Sequence, residues 1–182
     1  MSRIENRVKP LLIPMILASE RIVLGPAEQK KLARWAYLKT LVFALSTPEF
    51  GIVESEYHRF YQNPKPPHGS VILLSAILPG RGYPGSLCRV EPVLVHDADG
   101  SAAPNYRCSF LMGHVFLQVF GPYPGRRRPA TRQPGRASDP AHSPRIWRTQ
   151  QRPLTFPPPK QFDPRQIEQL LELLYNPPDE MQ

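Results

Sequence analysis

The chain has 182 residues, with 23 Lys or Arg against 15 Asp or Glu and a formal net charge of +8. This length fits one domain with appendages, and the longest apolar run falls well short of the roughly 20 residues that span a bilayer. Eight of the basic residues but only one acid lie between Gly121 and Arg152, so the remaining sequence gives no composition signal for nucleic-acid binding.

The first helix is predicted over residues 2–18, where apolar side chains recur at helical spacing. Pro10 and Pro14 interrupt that pattern, and a proline inside a helix removes a backbone donor and clashes with the preceding turn. We therefore predict either a kinked helix or a helix that ends near Lys9 and continues as an irregular apolar turn.

Two further helices follow. Pro26 suits the first helical position, and the wide apolar stripe after it predicts a central core helix that ends before Pro48. Within that helix, Trp35 is predicted to be a core anchor rather than a platform for a stacked ligand. A short third helix over 53–62 offers aromatic side chains to the same core.

The periodicity then changes to that of β-strands. Strands are predicted over 70–78, 87–95 and 106–120, with glycine-rich loops between them. Sequential strands with short loops favour an antiparallel meander. Residues 1–120 therefore predict a compact α+β domain, in which N-terminal helices pack on a small antiparallel sheet of about three strands.

The rest of the chain predicts a linker and a C-terminal segment. Residues 121–152 are rich in proline and arginine and poor in apolar side chains, which predicts a basic disordered linker. Residues 153–182 contain a helix with Asp163 as its N-cap. The apolar stripe of this helix must dock on the core or on a partner, including another copy of the chain, and it consists of Ile167, Leu170, Leu171 and Leu174.

Three short motifs match functional patterns incompletely. Gly80–Gly85 has glycine spacing of the dinucleotide type, but a strand follows it where a helix would have to open. Asp97–Gly100 begins like a calcium loop, yet Cys108 stands where the closing Glu is needed. Glu54 and His58 lie four residues apart, which predicts an exposed helix pair. We therefore predict no catalytic residue, metal site or cofactor, and no catalytic activity for the isolated chain.

Two cysteines are too few for a disulfide scaffold or for a zinc site built on cysteines alone. Cys88 and Cys108 both fall in predicted strands, where buried free thiols are expected. The N-terminus has charges where a secretory signal would have an apolar core. These features predict a cytoplasmic protein without a membrane segment.

The arginine-rich stretch is the one positive functional signal in the sequence. Its side chains could neutralise several phosphates of DNA or RNA without reading base sequence, although a solvated linker that keeps the chain soluble is the alternative. The predicted nucleic-acid contacts are Arg126, Arg127, Arg128, Arg132, Arg136, Arg145 and Arg148.

Four segments carry a resemblance to a known family. They are residues 2–16, residues 32–40 with their Leu-Ala-Arg-Trp-Ala step, the Pro-Pro-His-Gly step at 66–69 and residues 113–119. Together they resemble the C-terminal region of uncharacterised bacterial proteins labelled HNH-endonuclease-like. The likeness covers residues 1–120, and more loosely the end from Ile146.

The resemblance implies a particular place for this chain in that family. Its members begin with a cysteine- and histidine-bearing zinc module that closes with a Cys-Asn-x-Gly-Trp-Met step, to whose last residue Met1 would correspond. No family catalytic residue then falls on this chain. The function implied is a non-catalytic accessory domain that assists non-specific nucleic-acid contact. The alternative is a protein-interaction or regulatory module with no nucleic-acid role.

Overall fold

The computed structural model describes residues 3–17, 21–46, 52, 54–78, 86–96, 102–122, 141–147, 152–163 and 165–167. In chain order the helices and strands are α1 (Arg3–Leu17), β1 (Ile22–Leu24), α2 (Pro26–Leu45), α3 (Glu54–Gln62), β2 (Val71–Ala76), β3 (Ser86–His96), β4 (Ala102–Met112), β5 (Val115–Pro122) and β6 (Leu154–Phe156). Strands β2 to β5 form a sheet in the order β2-β5-β4-β3, and β1 pairs with β6 in a second sheet. All of these strand pairs are antiparallel, which confirms the predicted α+β class.

The predicted single strand over 106–120 was wrong, because it is two strands, and the sheet therefore has four strands instead of about three. A two-residue turn of Gly113 and His114 joins β4 to β5. Gly113 has a φ of +53°, a backbone conformation that residues with a Cβ rarely adopt. A Cβ there would also come within 2.3 Å of the carbonyl oxygen of Ile16. So short a turn barely interrupts the apolar pattern, which is why the sequence predicts one continuous strand.

The main core lies between one face of the four-stranded sheet and the helices α1 and α2. Side chains alternate across a sheet, and Leu74, Phe110 and Leu117 are among those that face the helices. Trp35 of α2 is 7% exposed, and its ring centroid lies 6.2 Å from that of Phe110. The prediction that Trp35 is a core anchor is therefore confirmed.

Helix α1 runs unbroken through Pro10 and Pro14, so a helix ending near Lys9 is the wrong alternative. A proline inside a helix costs roughly 3 kcal/mol. Burial of one large apolar side chain returns roughly 1.5–3 kcal/mol. The helix buries Val8, Leu12 and Met15 against the core, and this burial offsets the cost of the two prolines.

Residues 141–147, here called the edge segment, lie along the free edge of β2. The amide of Leu74 donates a hydrogen bond to the carbonyl of Pro144 at 3.0 Å, and the amide of Ile146 donates to the carbonyl of Ile72 at 2.9 Å. The edge segment therefore satisfies backbone groups that an edge strand would otherwise leave open.

The prediction of a disordered linker over 121–152 is wrong for the edge segment. Ile146 and Trp147 are only 3% and 8% exposed and belong to the main core. Gly121 is also placed, since it is part of β5 and pairs with Tyr106. The low apolar content of the stretch predicts disorder, but two large buried side chains and an unpaired strand edge are enough to fix a short segment.

The C-terminal residues return to the same edge of β2. Phe162 forms a parallel bridge with Ile77. The amide of Gln166 donates to the carboxylate of Asp163 at 2.8 Å, and the Gln166 side chain accepts from the Asp163 amide at 2.9 Å. This reciprocal cap confirms Asp163 as the predicted N-cap, and the described helical residues after it are 165–167.

The first residue of the predicted docking stripe packs on the protein itself. Ile167 is 2% exposed, and it lies in a small cluster on the sheet with Ile77, Leu111 and Phe116. The other stripe residues, Leu170, Leu171 and Leu174, lie outside the described residues.

Candidate functional site

Arg145 is the one predicted phosphate contact that the structure describes, and its side chain is used inside the fold. Its Nε donates to the carbonyl of Trp147 at 3.0 Å, and a terminal nitrogen donates to the carbonyl of Ser70 at 3.4 Å. Burial lowers the pKa of Arg145. We infer that the Arg145 side chain stabilises the edge segment through these hydrogen bonds. The other predicted contacts lie outside the described residues, namely Arg126, Arg127, Arg128, Arg132, Arg136 and Arg148.

The incomplete motifs form no site among the described residues. His58 and Glu54 approach to 3.3 Å with side chains 71% and 89% exposed, which confirms an exposed helix pair. Gly80–Gly85 and Asp97–Gly100 lie outside the described residues. Within the described part of the chain, no three His, Cys, Asp or Glu side chains come together in a way that could hold a metal ion.

A trough of about 1140 Å³ lies among the three helices, and we call it the helix trough. Helix α2 forms its floor, largely through side chains on the face opposite the buried Ala33, Ala36 and Thr40. Helices α1 and α3 form its walls. The trough is lined by Arg3, Ile4, Arg7, Ala27, Lys30, Lys31, Arg34, Leu38, Leu41, Val42, Leu45, Tyr57, Phe60, Tyr61 and Pro64.

The floor of the helix trough is apolar where α2 approaches its C-terminal end. Leu38 and Leu41 contribute to it, and Val42 and Leu45 are 47% and 66% exposed. A helix that is apolar on all sides is normally buried on all sides. Here one side of α2 faces the core while the other side lines an open trough, so apolar side chains are available to a ligand.

Side-chain contacts fix both walls against the floor. Lys39 of α2 forms an ion pair with Glu5 of α1. On the other side, the hydroxyl of Tyr37 donates to a carboxylate oxygen of Glu56 in α3 at 2.5 Å. The rings of Tyr37 and Phe60 also lie 5.4 Å apart between centroids. Burial raises the pKa of Tyr37, so its hydroxyl stays protonated and keeps donating this bond.

The charge of the lining has one sign. Five of the lining side chains are basic and none is acidic, counted over the described residues, and they are Arg3, Arg7, Lys30, Lys31 and Arg34. Lys31 is partly neutralised by Glu28 at 3.4 Å. The pKa of Glu28 is lowered first by a hydrogen bond from its own backbone amide and also by Lys31.

Arg34 lines the helix trough and also carries a buried donor without a partner in the described part of the chain. Its Nε is buried and has no hydrogen-bond partner among the described residues. A buried donor without a partner costs roughly 1–3 kcal/mol. The position of Arg34, between Lys30 and Leu38, lies where the basic part of the floor meets the apolar part.

Two tyrosines of α3 line the wall opposite α1. Tyr61 is 89% exposed. Tyr57 lies one helical turn earlier and is partly buried against the core, and this burial raises the pKa of its hydroxyl. The helix trough thus combines basic side chains, an apolar floor and aromatic rings.

Sequence reasoning missed this site because it counted charge over the whole body of the chain. A signal was nevertheless present in helical spacing, since Arg3 and Arg7 lie four residues apart and Lys30 and Arg34 do likewise. The near-neutral total concealed a segregation of charge that becomes visible once the helices are placed together.

The comparisons with known proteins assign no relative. No protein-family model matches the chain. No curated protein and no solved structure matches it either. The similarity to HNH-endonuclease-like proteins therefore stays a prediction from the quoted sequence segments. Among the described residues, no helix is both long enough and apolar enough to cross a membrane.

Proposed function

We propose that this protein is a non-catalytic domain that contacts nucleic acid without reading base sequence. The observation that carries the proposal is the set of five basic side chains in one trough whose described lining has no carboxylate. Clustered cations of this kind bind phosphates and release condensed counterions. The arginines of the predicted linker would add further phosphate contacts, apart from Arg145, which bonds within the fold.

The proposal also includes the type of protein to which the domain belongs and its cellular compartment. The sequence resemblance supports a role as an accessory domain of an HNH-like protein, in which cleavage would belong to another module. Cys88 and Cys108 are not joined in a disulfide, which supports a reducing, cytoplasmic compartment.

A protein-interaction module is the second candidate, and the open apolar floor of the helix trough favours it. A partner helix with an acidic face would complement both the floor and the basic side chains. The stripe that begins at Ile167 is a weaker surface for this role, because Ile167 packs on the protein's own sheet.

Charge reversal tests the proposal directly. We would measure binding of a fluorescent oligonucleotide by anisotropy at several salt concentrations, for the wild type and for the double variant Arg7→Glu/Lys30→Glu. The double variant should lose about tenfold or more in affinity, and its log–log salt slope should flatten by about 1.4–1.8.

The matched control is the double variant Lys9→Glu/Lys65→Glu, which makes the same charge change at exposed positions outside the trough lining. Its affinity should remain within about threefold of the wild type, because neither side chain lines the trough. An equal loss in both double variants would mean that net charge, and not the helix trough, governs binding, which would overturn the proposal.

A further inference from the structure

We infer that the helix trough binds single-stranded rather than double-stranded nucleic acid, with phosphates at its basic side chains and unpaired bases against its tyrosines and apolar floor. This inference rests on the proposed nucleic-acid role and specifies the class of ligand. The trough combines three features that suit this ligand, namely basic side chains, an apolar floor and aromatic rings.

The apolar floor is the feature that discriminates between the two ligand classes. A duplex presents charged phosphates and sugars outward and keeps its base faces stacked inside, so it has little to bury against Val42 and Leu45. An unpaired base exposes a flat apolar face. Such a base can remove the exposed side chains of the floor from water while its phosphate stays near the cations.

Tyr61 supplies a stacking surface that the protein itself leaves uncovered. Its side chain is 89% exposed although α3 is anchored to α2 by the Tyr37–Glu56 bond. Tyr57 precedes it by four residues, which places the two residues roughly 6 Å apart along the helix axis. That separation exceeds the 3.4 Å step of a stacked strand, so bases on both rings would have to be unstacked, as they are in single strands bound by proteins.

Arg34 links the two halves of the site. Its side chain lines the trough where the cations meet the apolar floor. A phosphate oxygen at that point would accept a charge-assisted hydrogen bond from the Arg34 guanidinium. The base attached to that phosphate would then reach the apolar half of the trough.

The test compares a labelled oligothymidine with a hairpin duplex of equal charge, using the full chain at one salt concentration. We expect the wild type to bind the single strand at least about tenfold more tightly than the duplex. Tyr61→Ala should weaken single-strand binding by about 5- to 150-fold, as loss of a stacked base does. Tyr61→Phe should retain most of the affinity, because it keeps the ring.

Controls separate this inference from the proposed function. Val23→Ala, at a position 65% exposed in β1 and outside the trough, should bind like the wild type. Equal binding of both ligands, unchanged by Tyr61→Ala but still sensitive to Arg7→Glu/Lys30→Glu, would overturn the single-strand inference and leave the proposed function standing. The wild type could instead bind neither nucleic acid and capture an acidic amphipathic peptide or anionic lipid vesicles. That result would overturn both the single-strand inference and the proposed function.

Discussion

The hydroxyl of Tyr37 in α2 donates a 2.5 Å hydrogen bond to the carboxylate of Glu56 in α3. Arg59, one turn further along α3, forms an ion pair with the same carboxylate. The hydrogen bond between Tyr37 and Glu56 thus joins α2 and α3 through a buried phenol and a half-buried carboxylate. Because Tyr57 and Tyr61 lie on that same short helix, this contact also positions the aromatic wall of the helix trough.

Replacing Tyr37 by Phe tests the contribution of this bond to stability. The variant leaves Glu56 with Arg59 as its partner but removes the donor from α2, and we expect a loss of about 1–3 kcal/mol in the free energy of unfolding. Urea denaturation would measure it. Tyr61→Phe is the control, since its hydroxyl is exposed and its removal should change stability by less than about 0.5 kcal/mol. Equal effects in the two variants would contradict the account.

Stability should also fall at alkaline pH because of buried tyrosines. Burial raises the pKa of Tyr37 and of Tyr106 above the ordinary value of 10.0. Above that value the unfolded chain loses these protons while the native state keeps them, so the unfolded state binds fewer protons and stability decreases as pH rises. Below it both states are protonated and these groups contribute no pH dependence.

The measurement is the free energy of unfolding from about pH 8 to pH 11, for the wild type and for Tyr37→Phe. Each tyrosine contributes a slope of up to about 1.4 kcal/mol per pH unit once its unfolded form ionises. Tyr37→Phe should therefore show a shallower decline above pH 10 than the wild type. Identical slopes would show that Tyr37 does not hold its proton in the native state.

The ring of Tyr106 leaves no room for a Cβ at Gly121. Gly121 is the register partner of Tyr106 across β4 and β5, and a Cβ at Gly121 would come within 2.1 Å of the Tyr106 ring and hydroxyl. Gly121→Ala should cost about 1–3 kcal/mol through overpacking. Gly25→Ala is the control, because its Cβ would meet only the movable end of the Glu28 side chain. A thermal-melting comparison that finds Gly121→Ala no less stable than Gly25→Ala would refute this account.

Much of the fold follows from local patterns, and the departures have physical reasons. The cap at Asp163 depends on neighbours within a few residues, and the burial of Trp35 follows from its place on the apolar stripe of α2, so sequence spacing predicts both. The turn at Gly113 was missed because the apolar pattern continues across it. The edge segment was missed because what fixes it is the free edge of β2, distant in sequence. The basic lining of the helix trough was missed for the same reason, since it needs α1 and α2 side by side.

The edge segment should control access to the edge of β2. Trp147→Ala removes a buried anchor, so we expect the segment to open more often and the amide of Leu74, which bonds Pro144, to lose hydrogen-exchange protection. The amides between β4 and β5 are the internal control and should stay protected. Equal loss of protection at both places would indicate global unfolding rather than local opening, contrary to the prediction.

The measurement that tests the central claim most directly is a photo-crosslink between the protein and a single strand containing iodouracil, with the modified peptide identified by mass spectrometry. Crosslinking of this kind captures a base that lies against an aromatic ring. The account predicts attachment at Tyr61 or Tyr57, and loss of attachment in Arg7→Glu/Lys30→Glu but not in Lys9→Glu/Lys65→Glu. Attachment confined to residues outside the helix trough, or no attachment at concentrations where the strand is bound, would contradict it.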